Sequence, residues 1–208
     1  MSLSAFFTMI KCQTAEFIFT KNFIAPRYTI SVRSLRSDDL TTIYEWVNLP
    51  YAKSFWQMDG PKENLYDSFL EILENPYAHS FIGLMDNRLI CQVDLYFACQ
   101  DEVGQYYTCS DKDIGMHLLM GPAGINGIPH LSQRVMQTMI DCLFSYSFIE
   151  NIIAEPDSVN VKACRLLERS GFTCMGNCKM SSKLASIYIM NKEKYHNSER
   201  PSSKSLYQ

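Results

Sequence analysis

Between residues 28 and 192 the chain alternates apolar runs of strand length with longer segments whose apolar positions recur every three or four residues. Residues 28–33 read as a strand, and Ser37 and Asp38 then offer N-caps for a helix running to about Val47. Pro61 opens a second helix, in which Tyr66, Phe69, Leu70 and Leu73 recur at helical spacing. Residues 80–85 and 88–97 are apolar runs joined by Asp86-Asn87, a pair that tolerates the left-handed conformations of a tight hairpin turn. Residues 113–120 continue the sheet. Strand alternation sets Ile114, Met116, Leu118 and Met120 on one face and Gly115, His117 and Leu119 on the other. A glycine-rich turn at 121–127 leads into a helix from about Pro129 to Phe148. A short strand at 151–155, a helix at 158–170 stopped by Gly171, and a hairpin of 172–179 with 183–190 close the pattern. This order predicts one mixed α/β (α+β) domain at 28–192, with a central sheet of about seven strands flanked by helices.

The ends read differently. Residues 1–27 carry Phe6, Phe7, Ile10, Phe17, Ile18 and Phe19, but Lys11, Glu16 and Lys21 interrupt them and no basic leader precedes them. Neither a bilayer span nor an export signal is expected, and the stretch is set aside as an extension. Residues 193–208 form a polar, Ser-rich tail.

Composition narrows the class of protein. With 208 residues, 47% hydrophobic and 20% charged, the chain can bury roughly 70% of its unfolded surface, which excludes disordered and fibrous readings. Nineteen Lys and Arg against 22 Asp and Glu leave a net charge of −3, so neither nucleic acid nor a membrane is an expected partner. The eight cysteines contain no Cys-x-x-Cys pair, and reduced thiols in a cytoplasmic protein are expected. Cys174 and Cys178 have no histidine nearer downstream than His196, so no metal is expected.

Three strings carry more specific information: Asp113-Ile-Gly-Met-His117-Leu-Leu-Met-Gly121-Pro122, then Glu155-Pro-Asp157-Ser-Val-Asn160, and before both Trp46 with Phe55-Trp56. With the element order, these resemble the GNAT acyl-CoA-dependent acyltransferases over about residues 28–192. More narrowly, they are similar to the siderophore-biosynthesis branch, whose members acylate N-hydroxylysine or lysine. The resemblance implies an acyl-CoA-dependent N-acyltransferase, with acetyl-CoA as the first donor to consider and a small amine or N-hydroxylamine such as N-hydroxylysine as acceptor. A protein or antibiotic amine is the alternative acceptor, and a non-catalytic acyl-CoA-binding module is the alternative class.

The physics of the glycine turn agrees with a cofactor role, because a helix N-terminus turns unpaired N–H groups and a positive dipole end toward a pyrophosphate. Pro129 removes one such donor, and Gly127-Ile128-Pro129 departs from the Gly-x-Gly of the family. An ordinary strand-to-helix connection is the competing reading. The resemblance assigns the acyl-CoA to Leu119, Met120, Gly121, Asn126, Gly127, Ile128, Asn160 and Cys164, with strand N–H groups near Leu119 and Met120 polarising the thioester carbonyl. His117 is the expected base, since imidazole titrates near neutrality, against the alternative of a satisfied histidine on a half-buried strand. Asp157 fits two roles: orienting the acceptor or coupling to His117, and capping the next helix. The acceptor walls fall to Trp46, Trp56, Asp94 and Tyr96, with Trp46 equally suited to the core. Leu167 stands where the family commonly has a tyrosine acid.

Overall fold

The computed structural model describes residues 2–13, 16–24, 26–122 and 128–199. Eight strands form one sheet: β1 (Phe19–Ile24), β2 (Arg27–Ser34), β3 (Ala78–Met85), β4 (Arg88–Phe97), β5 (Asp113–Met120), β6 (Asn151–Ala154), β7 (Thr173–Lys179) and β8 (Leu184–Asn191). Their spatial order is β1-β2-β3-β4-β5-β6-β8-β7, antiparallel except for β5 with β6. The sheet thus has eight strands where the hydrophobic pattern predicts about seven. The additional one is β1, which pairs with β2 from Phe19 opposite Val32 to Ile24 opposite Arg27.

Seven helices lie among the described residues: α1 (Leu3–Lys11), α2 (Leu40–Val47), α3 (Pro50–Trp56), α4 (Lys62–Glu74), α5 (Leu131–Phe144), α6 (Val161–Arg169) and α7 (Lys192–Glu199). Residues 1–27, set apart by their sequence, also supply α1. Ser2 caps it by accepting the Ala5 N–H at 3.2 Å, and Leu3, Phe6, Phe7 and Ile10 line its buried face. Phe6 meets Tyr146 edge-on at 4.9 Å, and the Lys11 ammonium caps α4 through the Leu73 carbonyl at 2.8 Å. These contacts make α1 part of the main core.

Strand alternation divides the sheet into two differently used faces. Phe81, Val93, Leu95, Ile114 and Met116 pack with α1 and α5 in the larger core. Ile82, Leu84 and Leu119 face the other way, under α2 and α4 with Leu40, Ile43, Trp46 and Leu65. The Asp86-Asn87 turn has positive φ at both residues, 46° and 67°, as a two-residue hairpin of this twist requires. Two helices start later than their sequences predict: α5 at Leu131 after His130 at φ 59°, and α6 at Val161.

The cysteines correct one expectation. Cys99 and Cys109 form a disulfide across the β4–β5 connection, their Cα atoms 5.7 Å apart. A ten-residue separation matches no sequence motif; two short 3-10 turns at Ala98–Gln100 and Glu102–Gln105 fold the loop back and bring the sulfurs together. No described helix is long and apolar enough to cross a membrane.

Candidate active site

The site begins with the way β5 leaves the sheet. β5 pairs with β6 only from Asp113 to Gly115, opposite Asn151 to Ile153, so residues 116–120 run on without a ladder partner on that side. The Gly121 N–H donates to the Ile90 carbonyl on the β4 side at 2.8 Å. Alternation then turns the N–H groups of Leu119 and His117 toward β4, and those of Met120 and Leu118 into the gap. Of the two residues expected to polarise a carbonyl, Met120 therefore offers its N–H and Leu119 does not. Leu118 takes the second place, and the buried Leu119 side chain packs under α2. The Met120 carbonyl, on the same side, accepts the Tyr51 hydroxyl at 2.8 Å.

Each member of Asp113-x-Gly115-x-His117 has its own physical task. The buried Asp113 carboxylate accepts the Ser110 N–H at 2.9 Å and the Asn151 amide at 2.7 Å, pinning the start of β5 to β6. A Cβ on Gly115 would lie 2.0 Å from the Tyr96 ring, so glycine there lets the ring cross β5. The Tyr96 hydroxyl reaches Glu155, the first residue beyond β6. His117 Nε2 bonds the other Glu155 oxygen, and the Tyr96 ring centroid lies 4.9 Å from the imidazole.

Glu155, not Asp157, is thus the partner of His117. Asp157 sits two residues further on, where its Oδ1 accepts the Val159 N–H at 3.0 Å and its backbone bridges Ala185. Nor does Asp157 cap the helix: Asn160 is the N-cap of α6, accepting the Ala163 N–H at 3.2 Å. The sequence displayed Glu155 inside the Glu155-Pro-Asp157 string, but alternation along a four-residue strand says nothing about which carboxylate meets a histidine on its neighbour.

The electrostatics follow from burial and pairing. Glu155 is 3% exposed, and burial alone would raise its pKa; the His117 charge and hydrogen bond, the Lys183 ammonium at 3.5 Å and the Tyr96 hydroxyl together lower it to about 2. His117 is lowered by desolvation, but Glu155 and, behind it, Asp94 outweigh that and raise its pKa above the ordinary 6.5. With Nε2–H committed to Glu155, neutral His117 presents Nδ1 as its basic atom. The His117 side chain keeps 41% of its exposure, so the ring is open to a ligand on part of its surface.

His117 lies opposite Asp94 on β4, and Asp94 opposite Ser80 on β3, so all three project from one face. Beside them a narrow cleft opens between the sheet and the helices α2 to α4, with Trp56, Met58, Leu40 and Phe69 as walls and Ser80, Gln92 and Asp94 at its floor. Trp56 joins the cleft to the imidazole, their rings edge-on at 6.5 Å. Asp94 Oδ1 accepts from the Ser80 hydroxyl and from the Gln92 amide at 3.0 Å, and burial raises the carboxyl pKa despite both bonds.

The remaining expected site residues separate. Trp46 is 4% exposed and packs against Gly121, where a Cβ would come within 2.8 Å of its ring; it shapes the end of β5 from inside the core and lines no open surface. Tyr96 is likewise buried and acts through Glu155. Asn160 and Cys164 stand on the first turns of α6, which is tied to α5 by Gln133 donating to the Arg169 carbonyl at 3.3 Å. Ile128 packs partly buried against the main core, whereas Asn126 and Gly127 lie outside the described residues. Leu167 is buried in the core. Among the described residues no three His, Cys, Asp or Glu side chains converge as a metal site.

Comparison with known proteins places this geometry. Residues 36–180 match the family described as an acetyltransferase (GNAT) domain. Among curated relatives, an N-hydroxyputrescine acetyltransferase of Acinetobacter baumannii is 24% identical over 158 residues, 76% of this chain and 75% of that protein. An N(6)-hydroxylysine O-acetyltransferase of Escherichia coli is 25% identical over 134 residues, 64% of this chain but only 42% of that protein. The lysine N-acyltransferase MbtK of Mycolicibacterium paratuberculosis is 23% identical over 168 residues, 77% and 73% of the two chains. In fold, an uncharacterised protein from Bacillus halodurans superposes with a TM-score of 0.81 at 19% identity, covering 86% of this chain and 92% of that one. The aminoglycoside acetyltransferase AAC(6')-Ib in complex with coenzyme A gives 0.73 at 19% identity, covering 81% and 98%. With the matched domain spanning both the splayed strand pair and the His117–Glu155 contact, the chain belongs to the GNAT acetyltransferase family.

Proposed function

We propose that the protein transfers an acyl group, acetyl in the first instance, from acyl-CoA to a small N-hydroxylated amine in siderophore biosynthesis, by direct attack of the acceptor nitrogen on the thioester. One observation carries the reading: a histidine whose Nε2 is held by a buried carboxylate stands between unpaired strand N–H groups and an apolar cleft. Relatives named for N-hydroxyputrescine, N(6)-hydroxylysine and lysine as acceptors support the substrate class. The donor's fit rests on the gap beyond Gly115, where the N–H groups of Leu118 and Met120 meet no strand. Acyl-CoA supplies the activated acyl carbon; Gly121, Ile128 and the start of α5 and of α6 are the segments that would hold it.

Within the chain, the work divides as follows. The cleft orients the acceptor, and its apolar walls strip water from the hydrocarbon stem. His117 Nδ1 takes the proton from the attacking nitrogen, and Glu155 stabilises the imidazolium that results. Asp157, on the loop that follows Glu155, is proposed to touch the acceptor from the rim. Among the described residues no cysteine is hydrogen-bonded to His117, whose partner is Glu155, which favours direct transfer over a covalent acyl-enzyme.

The test is mass-spectrometric detection of product after incubation with acetyl-CoA and, separately, N6-hydroxylysine, N-hydroxyputrescine, lysine and a peptide pool. Acetylation of the hydroxylamines, lost about 100- to 10,000-fold in turnover in His117→Ala with coenzyme A affinity unchanged, is expected. Acetylation of the peptides alone would replace this acceptor class.

A further inference from the structure

The floor of the cleft contains one charged group, Asp94, whose charge acts on His117 of the neighbouring strand but meets no cation in the cleft lining. Of its twelve lining residues none is Lys, Arg or His, and Asp94 is the single carboxylate. Both donors beside it, the Ser80 hydroxyl and the Gln92 amide, go to the same atom, Oδ1. Among the described residues no hydrogen bond reaches Oδ2. A buried carboxyl with one oxygen satisfied and the other open to an apolar cleft is incomplete, because a buried charge needs a paired and hydrogen-bonded partner.

Its position relative to the imidazole sets the spacing of any ligand. Asp94 and His117 are cross-strand neighbours, yet the carboxyl leans toward β3 and Ser80 while the imidazole leans toward Glu155 beyond β6. The two heads therefore lean apart, toward opposite sides of the β4–β5 pair. Trp56, edge-on to the imidazole, and Met58 line the cleft with largely apolar surface. A ligand joining the two ends needs a polar nitrogen at each and a bare hydrocarbon stem in the middle.

From this we infer that the acceptor cleft selects diamines, one end hydroxylated and the other a free ammonium seated on Asp94 Oδ2, and discriminates against amino acids of the same chain length. The inference rests on the acyl-transfer reading above and narrows it. An ammonium gives Asp94 the missing cationic partner in a charge-assisted bond. An α-carboxylate arriving in the same place meets a like charge and, in the cleft lining, no Lys, Arg or His to offset its desolvation.

N-hydroxycadaverine and N6-hydroxylysine have the same chain and differ by the α-carboxylate alone, so kcat/KM for the two with acetyl-CoA isolates the effect. We expect the diamine to be favoured by about 10- to 100-fold, and Asp94→Asn to lower the diamine-to-hydroxylysine ratio of kcat/KM by a similar factor, mainly through the diamine's KM. Calorimetric binding of cadaverine and of lysine to the wild-type protein saturated with coenzyme A needs neither turnover nor a folded variant, and cadaverine should bind the more tightly. Equal or better use of hydroxylysine overturns the inference and leaves acyl transfer standing. Failure to acylate any hydroxylamine overturns the proposed function instead, and the cadaverine-to-lysine binding ratio then decides the inference, equal binding or none refuting it.

Discussion

Replacing Glu155 by Gln removes one negative charge from the site while preserving the shape of the side chain and one of the two acceptor oxygens that His117 and Tyr96 use. In the wild type, His117, Lys183 and Tyr96 overcome a strong desolvation penalty and bring the Glu155 pKa from 4.5 to about 2. At ~1.36 kcal/mol per pKa unit this corresponds to about 3 kcal/mol of net stabilisation of the carboxylate, left after the partners have offset the desolvation penalty. Because the raised pKa of His117 is owed chiefly to the same charge, desolvation regains control in Glu155→Gln and the imidazole pKa falls. The acid limb of kcat against pH, set by protonation of the base, should therefore shift downward. The plateau rate should also fall, by on the order of 100-fold, as the imidazolium formed during transfer loses its counter-ion. The assay is steady-state turnover from pH 5 to 9 with saturating acceptor, paired with an NMR titration of the His117 ring. An acid limb and a ring titration that both stay in place would refute the assignment of Glu155 as the group that sets the basicity of His117. The same variant changes the pH dependence of stability. The depressed Glu155 contributes stability that is present above pH 4.5 and disappears as pH falls toward 2, whereas the raised His117 contributes below pH 6.5 and loses its contribution as pH rises through its elevated pKa. The Glu155→Gln protein should consequently lose most stability between about pH 4.5 and 6.5 relative to wild type.

Gly115→Ala should destabilise the fold by roughly 1–3 kcal/mol in urea denaturation, since a Cβ placed 2.0 Å from the buried Tyr96 ring must push it off β5 and away from Glu155; an unchanged midpoint would mean that the ring yields without cost. Asp157→Asn keeps an acceptor for the Val159 N–H, so its melting temperature and its His117 titration should match wild type, and any defect should show in acceptor KM; a shifted acid limb would restore a link between Asp157 and His117. Cys109→Ser should cost about 2–3 kcal/mol relative to the oxidised wild type and nothing relative to the protein under reductant, as expected for opening a loop of this length; equal stability of wild type with and without reductant would show the bridge to be dispensable.

Patterning alone determined much of this protein, because burial against a sheet face imposes a period of two and burial of a helix stripe a period near 3.6. The segregation of Met116 from His117, the left-handed turn at Asp86-Asn87 and the order of strands from β2 to β8 all depend on such local rules. Residues 1–27 carried the same kind of signal in Leu3, Phe6, Phe7 and Ile10. A nine-residue helix and a six-residue strand whose burial alternates between half-buried and exposed are short messages, however, and their place in the sheet depends on what covers them. The site shows the boundary most plainly. His117 was legible because a motif and an alternation both marked it. Glu155 was written in the same string as Asp157 and could not be told from it, since which carboxylate reaches the imidazole depends on where β6 ends relative to β5. Trp46 and Trp56 look alike in sequence, and only the packing of α2 and α3 sends one beneath Gly121 and leaves the other at the cleft. The Cys99–Cys109 bridge, the turn of the Leu118 and Met120 N–H groups into the gap, and the open Asp94 oxygen are likewise products of tertiary structure: each joins or parts residues whose separation along the chain carries no information about their distance in space.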